Sequence, residues 1–213
     1  MPGEAHSHRL VSAARLAGVR DERVLEAMAA VAREAYVPPD RTSEANLDRP
    51  LDIGGGQVTT QPSLVAAMVE ALELRGDERV LEVGTGLGYQ TAVLARLAQE
   101  VWSVERRPEH AAAARENLAG VENATVVLGD GTEGLPEHAP FDAIVLAAAH
   151  PHVPPPLVHQ LTFGGRLVQP IGPSGAEDVV RFRRVPDGRL LRERSIVGAR
   201  FAPLYGKHGV FEP

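Results

Sequence analysis

Cysteine is missing from the 213 residues, and Lys207 is the only lysine. Without thiols there are no disulfides, thiolate metal sites, iron–sulfur clusters or cysteine nucleophiles. With a single lysine near the C-terminus, Schiff-base chemistry is not expected. Long apolar runs are missing as well: none approaches the roughly 18 to 20 residues that a membrane-spanning helix needs. Residues 1–9 are polar and histidine-containing, not a basic stub followed by an apolar core. No secretory signal is therefore expected, and the cytoplasm is the expected location. Basic charge is not in excess either. The 22 basic and 28 acidic side chains leave a net charge of −6, which argues against binding nucleic acid by neutralising phosphates.

The hydrophobic share of 44% and charged share of 23% are ordinary for a globular chain and exclude global disorder. At about 150 residues per domain the length suits one compact domain. It divides into N-terminal helices with a substrate and active-site loop over 1–61 and a core over 62–213. Over 7–35, Leu10, Val11, Ala14, Leu16, Val24, Leu25, Met28 and Val31 keep helical spacing with a break near Gly18, which predicts two short helices. Residues 37–56 hold Pro38, Pro39, Pro50 and Gly54-Gly55-Gly56 and read as a long loop; loops longer than about 12 residues are usually functional or disordered. A helix is expected over 62–74, with Pro62 in its first turn, where a missing N–H does no harm. After Gly76, strands at 79–83, 101–104, 124–128, 141–146 and 166–170 alternate with helices at 89–99, 108–118 and 155–161. Such alternation predicts an α/β fold with a doubly wound, mostly parallel sheet and helices on both faces. Segments 179–185 and 190–201 flank Pro186-Asp187-Gly188 and predict an antiparallel C-terminal hairpin on the sheet edge. The cluster Arg181-Phe182-Arg183-Arg184 then reads as the solvated face of an edge strand.

Ligands of such sheets sit beyond the carboxyl ends of the strands. The first strand ends in Glu82-Val83-Gly84-Thr85-Gly86-Leu87-Gly88, where alternate glycines allow a tight turn and close approach of backbone to ligand. A dinucleotide fingerprint would place its third glycine where Tyr89 stands. The second strand ends at Glu105, placed to accept hydrogen bonds from both hydroxyls of a ribose. The third ends in Gly129-Asp130-Gly131, where Asp130 suits an adenine amino group. Three acids around a glycine turn disfavour a pyrophosphate and favour a cationic, amine-bearing ligand such as S-adenosyl-L-methionine. Each feature alone has a plainer explanation, as a tight turn or a solvated acid; together they favour a ligand containing a nucleoside.

These residues resemble the protein-L-isoaspartate (D-aspartate) O-methyltransferase family, from about Leu10 to Leu204. The most specific match is the run PLDIGGGQVTTQP over 50–62, which is similar to the family's I-G-x-G-Q-T-I-S-x-P signature. Others are VLEVGTGLGYQTAVL over 80–94, Ser103-Val104-Glu105-Arg106, Gly129-Asp130-Gly131, Ala139 to Ile144 and Arg200-Phe201-Ala202-Pro203-Leu204. The resemblance implies a Rossmann-like methyltransferase sheet with an N-terminal helical extension. It further implies transfer of a methyl group from S-adenosyl-L-methionine to the α-carboxylate of isoaspartyl residues, whose ester closes to a succinimide. The family's signature serine falls at Thr60, which is thereby the catalytic candidate. Cofactor contacts are implied for Gln57, Val58, Thr59, Glu82, Gly84, Thr85, Gly86, Gly88, Tyr89, Glu105, Arg106, Asp130 and Gly131. Substrate contacts are implied for Ile53, Gly54, Gly55, Ala149 and His150. The family's Thr-Ile pair reads Val58-Thr59 here, and its Thr-Ala-Ala reads Ala147-Ala148-Ala149, so one hydroxyl has moved and one is lost.

A carboxylate acceptor, with a reference pKa of roughly 4, is already ionised and needs no general base. The protein then has to align the reactants and exclude water. The glycines, Thr59 and Thr60 of residues 54–61, with the helix start behind them, suit an anion. Thr60 before a helix is also a common N-cap, and Gln57 has an alternative role in stabilising the loop. The pairs His6/His8 and His150/His152 contain neither cysteine nor acid, and no metal site is expected. Partners are expected to be isoaspartyl-containing proteins or peptides, with neither nucleic acid nor membrane, and the protein is expected to be a monomer. The rival chemistries are methylation of a normal aspartate in a ribosomally made peptide, dinucleotide-dependent dehydrogenation and non-catalytic cofactor binding.

Overall fold

The computed structural model describes residues 2–173 and 175–211, without the side chains of 2–7; His6 of the first histidine pair thus lies outside the described side chains. The chain opens with α1 (Pro2–Leu16) and α2 (Glu22–Ala30). Asp21 caps α2, its carboxylate accepting from the Arg23 backbone N–H at 2.9 Å. The stretch expected as plain loop is more ordered than that. A 3-10 turn at Arg33–Tyr36, where helical spacing is expected to run to 35, precedes it; the stretch holds a second 3-10 turn at Pro39–Glu44 and β1 (Leu51–Gly54), which pairs antiparallel with β2 (Gln57–Thr59) just beyond it. Its few apolar side chains gave no strand signal, because tertiary hydrogen bonds hold it in place. α3 (Pro62–Ala71) follows.

The core is a seven-stranded sheet. Its strands are β3 (Arg79–Val83), β4 (Glu100–Glu105), β5 (Ala124–Leu128), β6 (Phe141–Leu146), β7 (Leu161–Ile171), β8 (Glu177–Arg184) and β9 (Leu190–Ala199). They lie in the order β5-β4-β3-β6-β7-β8-β9. The first five are parallel, and β8 and β9 add antiparallel at one edge. α4 (Tyr89–Ala95), α5 (Pro108–Asn117) and α6 (Pro155–Gln160) are the crossovers. Alternate residues leave the sheet on opposite faces, as pleating requires. Val80, Val101, Ala143, Val145 and Val168 pack with the N-terminal helices, α3 and α4. Leu81, Val83, Ile144, Leu146 and Leu167 pack with Phe141, Leu157 and Leu204 on the other side. Strand order turns back between β3 and β6, the switch point at which open α/β sheets bind ligands.

The arginine cluster departs from expectation. β9 is the edge strand, so β8 lies one place inward, and Arg181 is only 3% exposed, paired with Glu73 and Glu193. Arg166 on β7 donates to the Leu72 carbonyl at 2.7 Å and to Glu78 at 2.8 Å. These pairs tie the end of α3 to the sheet. The Arg181 hydrogen bond holds Glu73 below its ordinary range. Burial pushes Glu78 upward, but the Arg75 N–H, the Arg166 guanidinium and the Gly76 N–H outweigh it, and its pKa is lowered. Groups with lowered folded pKa values contribute stability that is complete above the unfolded carboxylate range and disappears as pH falls through the folded values. Denaturant unfolding from about pH 6 down to about pH 2 should show that loss. Glu78→Gln should remove part of the slope and cost about 1 to 2 kcal/mol at neutral pH, since it removes the charged acceptor of the half-buried Arg166 guanidinium. A variant with the wild-type slope would exclude Glu78 as its source.

Candidate functional site

A cavity of about 470 Å³ opens at the carboxyl ends of β3, β4 and β6, a size suited to a small-molecule ligand. Its floor is the glycine turn. Gly84, Gly86 and Gly88 have φ of +96°, +57° and +98°, a region open to glycine at little steric cost. The Gly84 N–H donates to Val104 and the Ala147 N–H to Val83, both at 2.9 Å, so the turn is stitched between β4 and β6. Gly84, Thr85, Gly86 and Tyr89 line the cavity. Gly88 is the N-cap of α4 and packs behind the turn, where a Cβ would lie 3.0 Å from Leu118.

Of the three acids expected around the ligand, only Glu105 reaches the wall. One of its oxygens accepts from the Gly86 N–H and the other from the Arg107 N–H, each at 2.9 Å. Glu82 instead lies wholly buried beneath the turn, because its side chain leaves β3 toward α4 and β4. There it accepts from Thr91 at 2.5 Å and Ser103 at 2.6 Å, and Ser103 in turn meets Thr85 at 2.6 Å. Burial pushes the Glu82 pKa up to about 7 against those hydrogen bonds. Asp130 is turned away from the wall and occupied. Its oxygens accept from the Thr132 N–H and hydroxyl and from the Lys207 N–H, at 2.9, 2.7 and 2.7 Å. Burial would raise its pKa, but the Lys207 and Thr132 hydrogen bonds outweigh this and hold it below the ordinary range. Its neighbour Gly131 does line the cavity, as does Arg106, whose guanidinium lies 5.1 Å from the Tyr205 ring centroid.

The β1–β2 hairpin forms the facing wall through Ile53, Gln57, Val58, Thr59 and Thr60. Gly54 and Gly55 sit at its tip, outside the wall, and a Cβ on Gly55 would come 3.0 Å from the Arg107 guanidinium. The buried His110 imidazole holds the hairpin by a 3.2 Å contact to the Ile53 carbonyl. Thr60 is not an N-cap. Gln61 occupies that position, and Asp48 caps α3 from the preceding loop, accepting from the Ser63 N–H at 2.8 Å and the Gln61 amide at 2.9 Å. The Thr60 hydroxyl has no hydrogen bond among the described residues, while the Thr60 carbonyl accepts from Arg33 at 3.3 Å. Ala149 and His150 stand off the wall. Ala149 is bridged to the Ala202–Leu204 backbone, and His150 Nδ1 contacts the His152 carbonyl at 2.8 Å. Ala147 and Ala148 line the cavity in their place.

Sequence reasoning missed Tyr36, His110 and the extended segment 197–205 as wall residues. The Arg200 to Leu204 match was the one available signal. The donor set fits a nucleoside-bearing ligand: a carboxylate at the end of β4, a glycine turn in which a Cβ on Gly86 would crowd Ile53 at 3.3 Å, and a buried Tyr89 hydroxyl with no partner among the described residues.

Fold and site together define a Rossmann-like methyltransferase dependent on S-adenosyl-L-methionine. The family model described as protein-L-isoaspartate(D-aspartate) O-methyltransferase matches residues 5–209, and the chain belongs to that family. Protein-L-isoaspartate O-methyltransferases of Methanoculleus marisnigri and Myxococcus xanthus are 51% and 50% identical to it. These alignments cover 92% and 89% of this chain and 89% and 92% of the relatives. A solved protein-L-isoaspartate O-methyltransferase superposes with a TM-score of 0.83 at 30% identity, over 95% of this chain and 67% of the other. A Plasmodium falciparum structure in complex with S-adenosyl-L-homocysteine shares the fold, with a TM-score of 0.81 at 21% identity, over 94% and 98% of the two chains.

An acid whose pKa rises on folding weakens the folded state as pH climbs from the unfolded value of 4.5 to the folded value of about 7. Glu82→Gln is expected to flatten this decline, so that the variant gains on the wild type between about pH 5 and about pH 8 in denaturant unfolding. An unchanged difference between the two pH values would remove Glu82 as its origin.

Proposed function

We propose that this protein methylates the α-carboxylate of L-isoaspartyl residues in damaged proteins and peptides, starting their repair through a succinimide. One observation carries the assignment of roles: the glycine turn with Glu105 and the hairpin with the uncommitted Thr60 hydroxyl face each other across one cavity. When bound, S-adenosyl-L-methionine supplies an electrophilic methyl group on a sulfonium. Glu105 would hold the ribose hydroxyls through the lone pairs left free by Gly86 and Arg107, and the glycine turn and Gly131 would border the rest of the cofactor. Thr60 would donate its hydroxyl to the acceptor carboxylate and orient one oxygen for in-line attack. His110 is engaged by Ile53, and Glu105 by two backbone N–H groups.

A carboxylate brings its own nucleophilic oxygen, so an uncommitted hydroxyl suffices where a general base would otherwise stand. Isoaspartyl proteins are then the partners of a cytoplasmic monomer that needs neither nucleic acid nor membrane. The net charge of −6 supports the first exclusion. Among the described residues no helix is long and apolar enough to cross a membrane. Nothing in the site favours transfer to a normal aspartate or hydride chemistry.

Radiolabelled S-adenosyl-L-methionine with matched isoaspartyl, D-aspartyl and L-aspartyl peptides tests the substrate. Label on the isoaspartyl peptide is expected, and its absence there would refute the assignment. Thr60→Val should lower kcat/KM by roughly 10- to 100-fold, the effect of losing one hydrogen bond to a charged group. Wild-type turnover in that variant would take the hydroxyl out of the mechanism.

A further inference from the structure

Arg33 is 1% exposed and is among the largest fully buried side chains of the described residues. Charged residues are almost never buried this deeply without an opposite charge. Yet no carboxylate lies within ion-pair distance of it among the described residues. Its terminal nitrogens donate to five neutral oxygens. These are the carbonyls of Ala45, Leu47 and Arg49 at 3.0, 3.0 and 3.1 Å, and the Thr59 hydroxyl and Thr60 carbonyl at 3.3 Å each. Its other face lies over the Tyr89 ring, with the guanidinium carbon 5.7 Å from the centroid. Asp48, the acid whose field reaches it, is occupied by Ser63 and Gln61 at the start of α3. Arg33 does not itself line the cavity; Thr59, Thr60 and Tyr89 do. A buried cation with no ion-pair partner among the described residues therefore sits directly behind the hairpin wall.

We propose that Arg33 is a positioning residue for the methyl acceptor, fixing the Thr59–Thr60 backbone and drawing a carboxylate to that wall by its field. The proposal rests on carboxyl methylation as the reaction. A guanidinium paired directly with the acceptor would tie up the oxygen lone pairs that must attack. Arg33 avoids this, because its terminal N–H groups are committed to the chain's own oxygens while its positive charge still acts across the wall. The arriving anion is attracted by that charge, and the neutral ester that forms loses the attraction and is released. The planar fork that serves acceptors on two segments is specific to arginine.

The test compares an isoaspartyl peptide with the same peptide bearing an α-carboxamide, in the wild type, Arg33→Lys and Arg33→Met. The wild type should bind the acid at least tenfold more tightly than the amide. Arg33→Met should raise the peptide KM at least tenfold and lose most of that preference. Its affinity for S-adenosyl-L-homocysteine, measured by calorimetry, should stay within threefold of wild type. Arg33→Lys should recover part of the preference for the acid. Equal wild-type binding of acid and amide would overturn the proposal without any variant. So would a folded Arg33→Met that keeps the preference, or one whose affinity for S-adenosyl-L-homocysteine falls by the same factor as its affinity for peptide. Failure of the wild type to label any isoaspartyl peptide would instead refute the reaction on which the proposal rests.

Discussion

A carboxyl group with no exposure anchors the architecture. Glu82 joins β3 to β4 through Ser103 and to α4 through Thr91, and Ser103 passes the connection to Thr85 in the glycine turn. Burying an acid between the sheet and α4 carries a desolvation penalty, expressed as a pKa near neutrality. In return the network admits few arrangements, since a hydroxyl or carboxyl displaced from it would be left unsatisfied in a low-dielectric layer. The turn's height above the sheet, and with it the place of the Gly86 N–H that Glu105 grips, follows from this buried chain of hydrogen bonds.

The scarcity of reactive groups becomes intelligible at the site. The lining offers one carboxylate and one imidazole, and both are tied to backbone groups of the walls. The rest of the lining offers hydroxyls, backbone groups and apolar side chains. Chemistry in which the acceptor contributes the nucleophile has no use for cysteines, which are missing, or for lysines, of which there is one far from the hairpin in sequence.

Much of the sheet was legible in advance. The strands at 79–83, 124–128 and 141–146 were bounded to the residue, because short apolar β-runs ended at glycine, aspartate or proline. β7 starts earlier than its apolar run, since Leu161 pairs with Phe141 across an irregularity in register, a contact invisible in local patterning. At the site, Glu105 was readable because it ends its strand. Glu82 was misplaced because being close to the glycines in sequence does not say which way a strand residue points. Asp130 was misplaced because its partner, the Lys207 N–H, lies 77 residues further along. Arg33 gave no signal at all: its acceptors are mostly backbone carbonyls, which no residue pattern encodes.

The two walls that face the glycine turn come from opposite ends of the chain, the hairpin from before the sheet and 197–205 from the end of its last strand onward. A ribosome adding about 5 to 20 residues per second releases them many seconds apart. The central parallel strands and their helices can assemble while the second wall is still unmade. A growing chain thus holds a nearly finished scaffold with an open-sided cleft, and the enclosure forms only after synthesis has passed the final strand. In the life of each molecule, the capacity for chemistry is the last thing acquired.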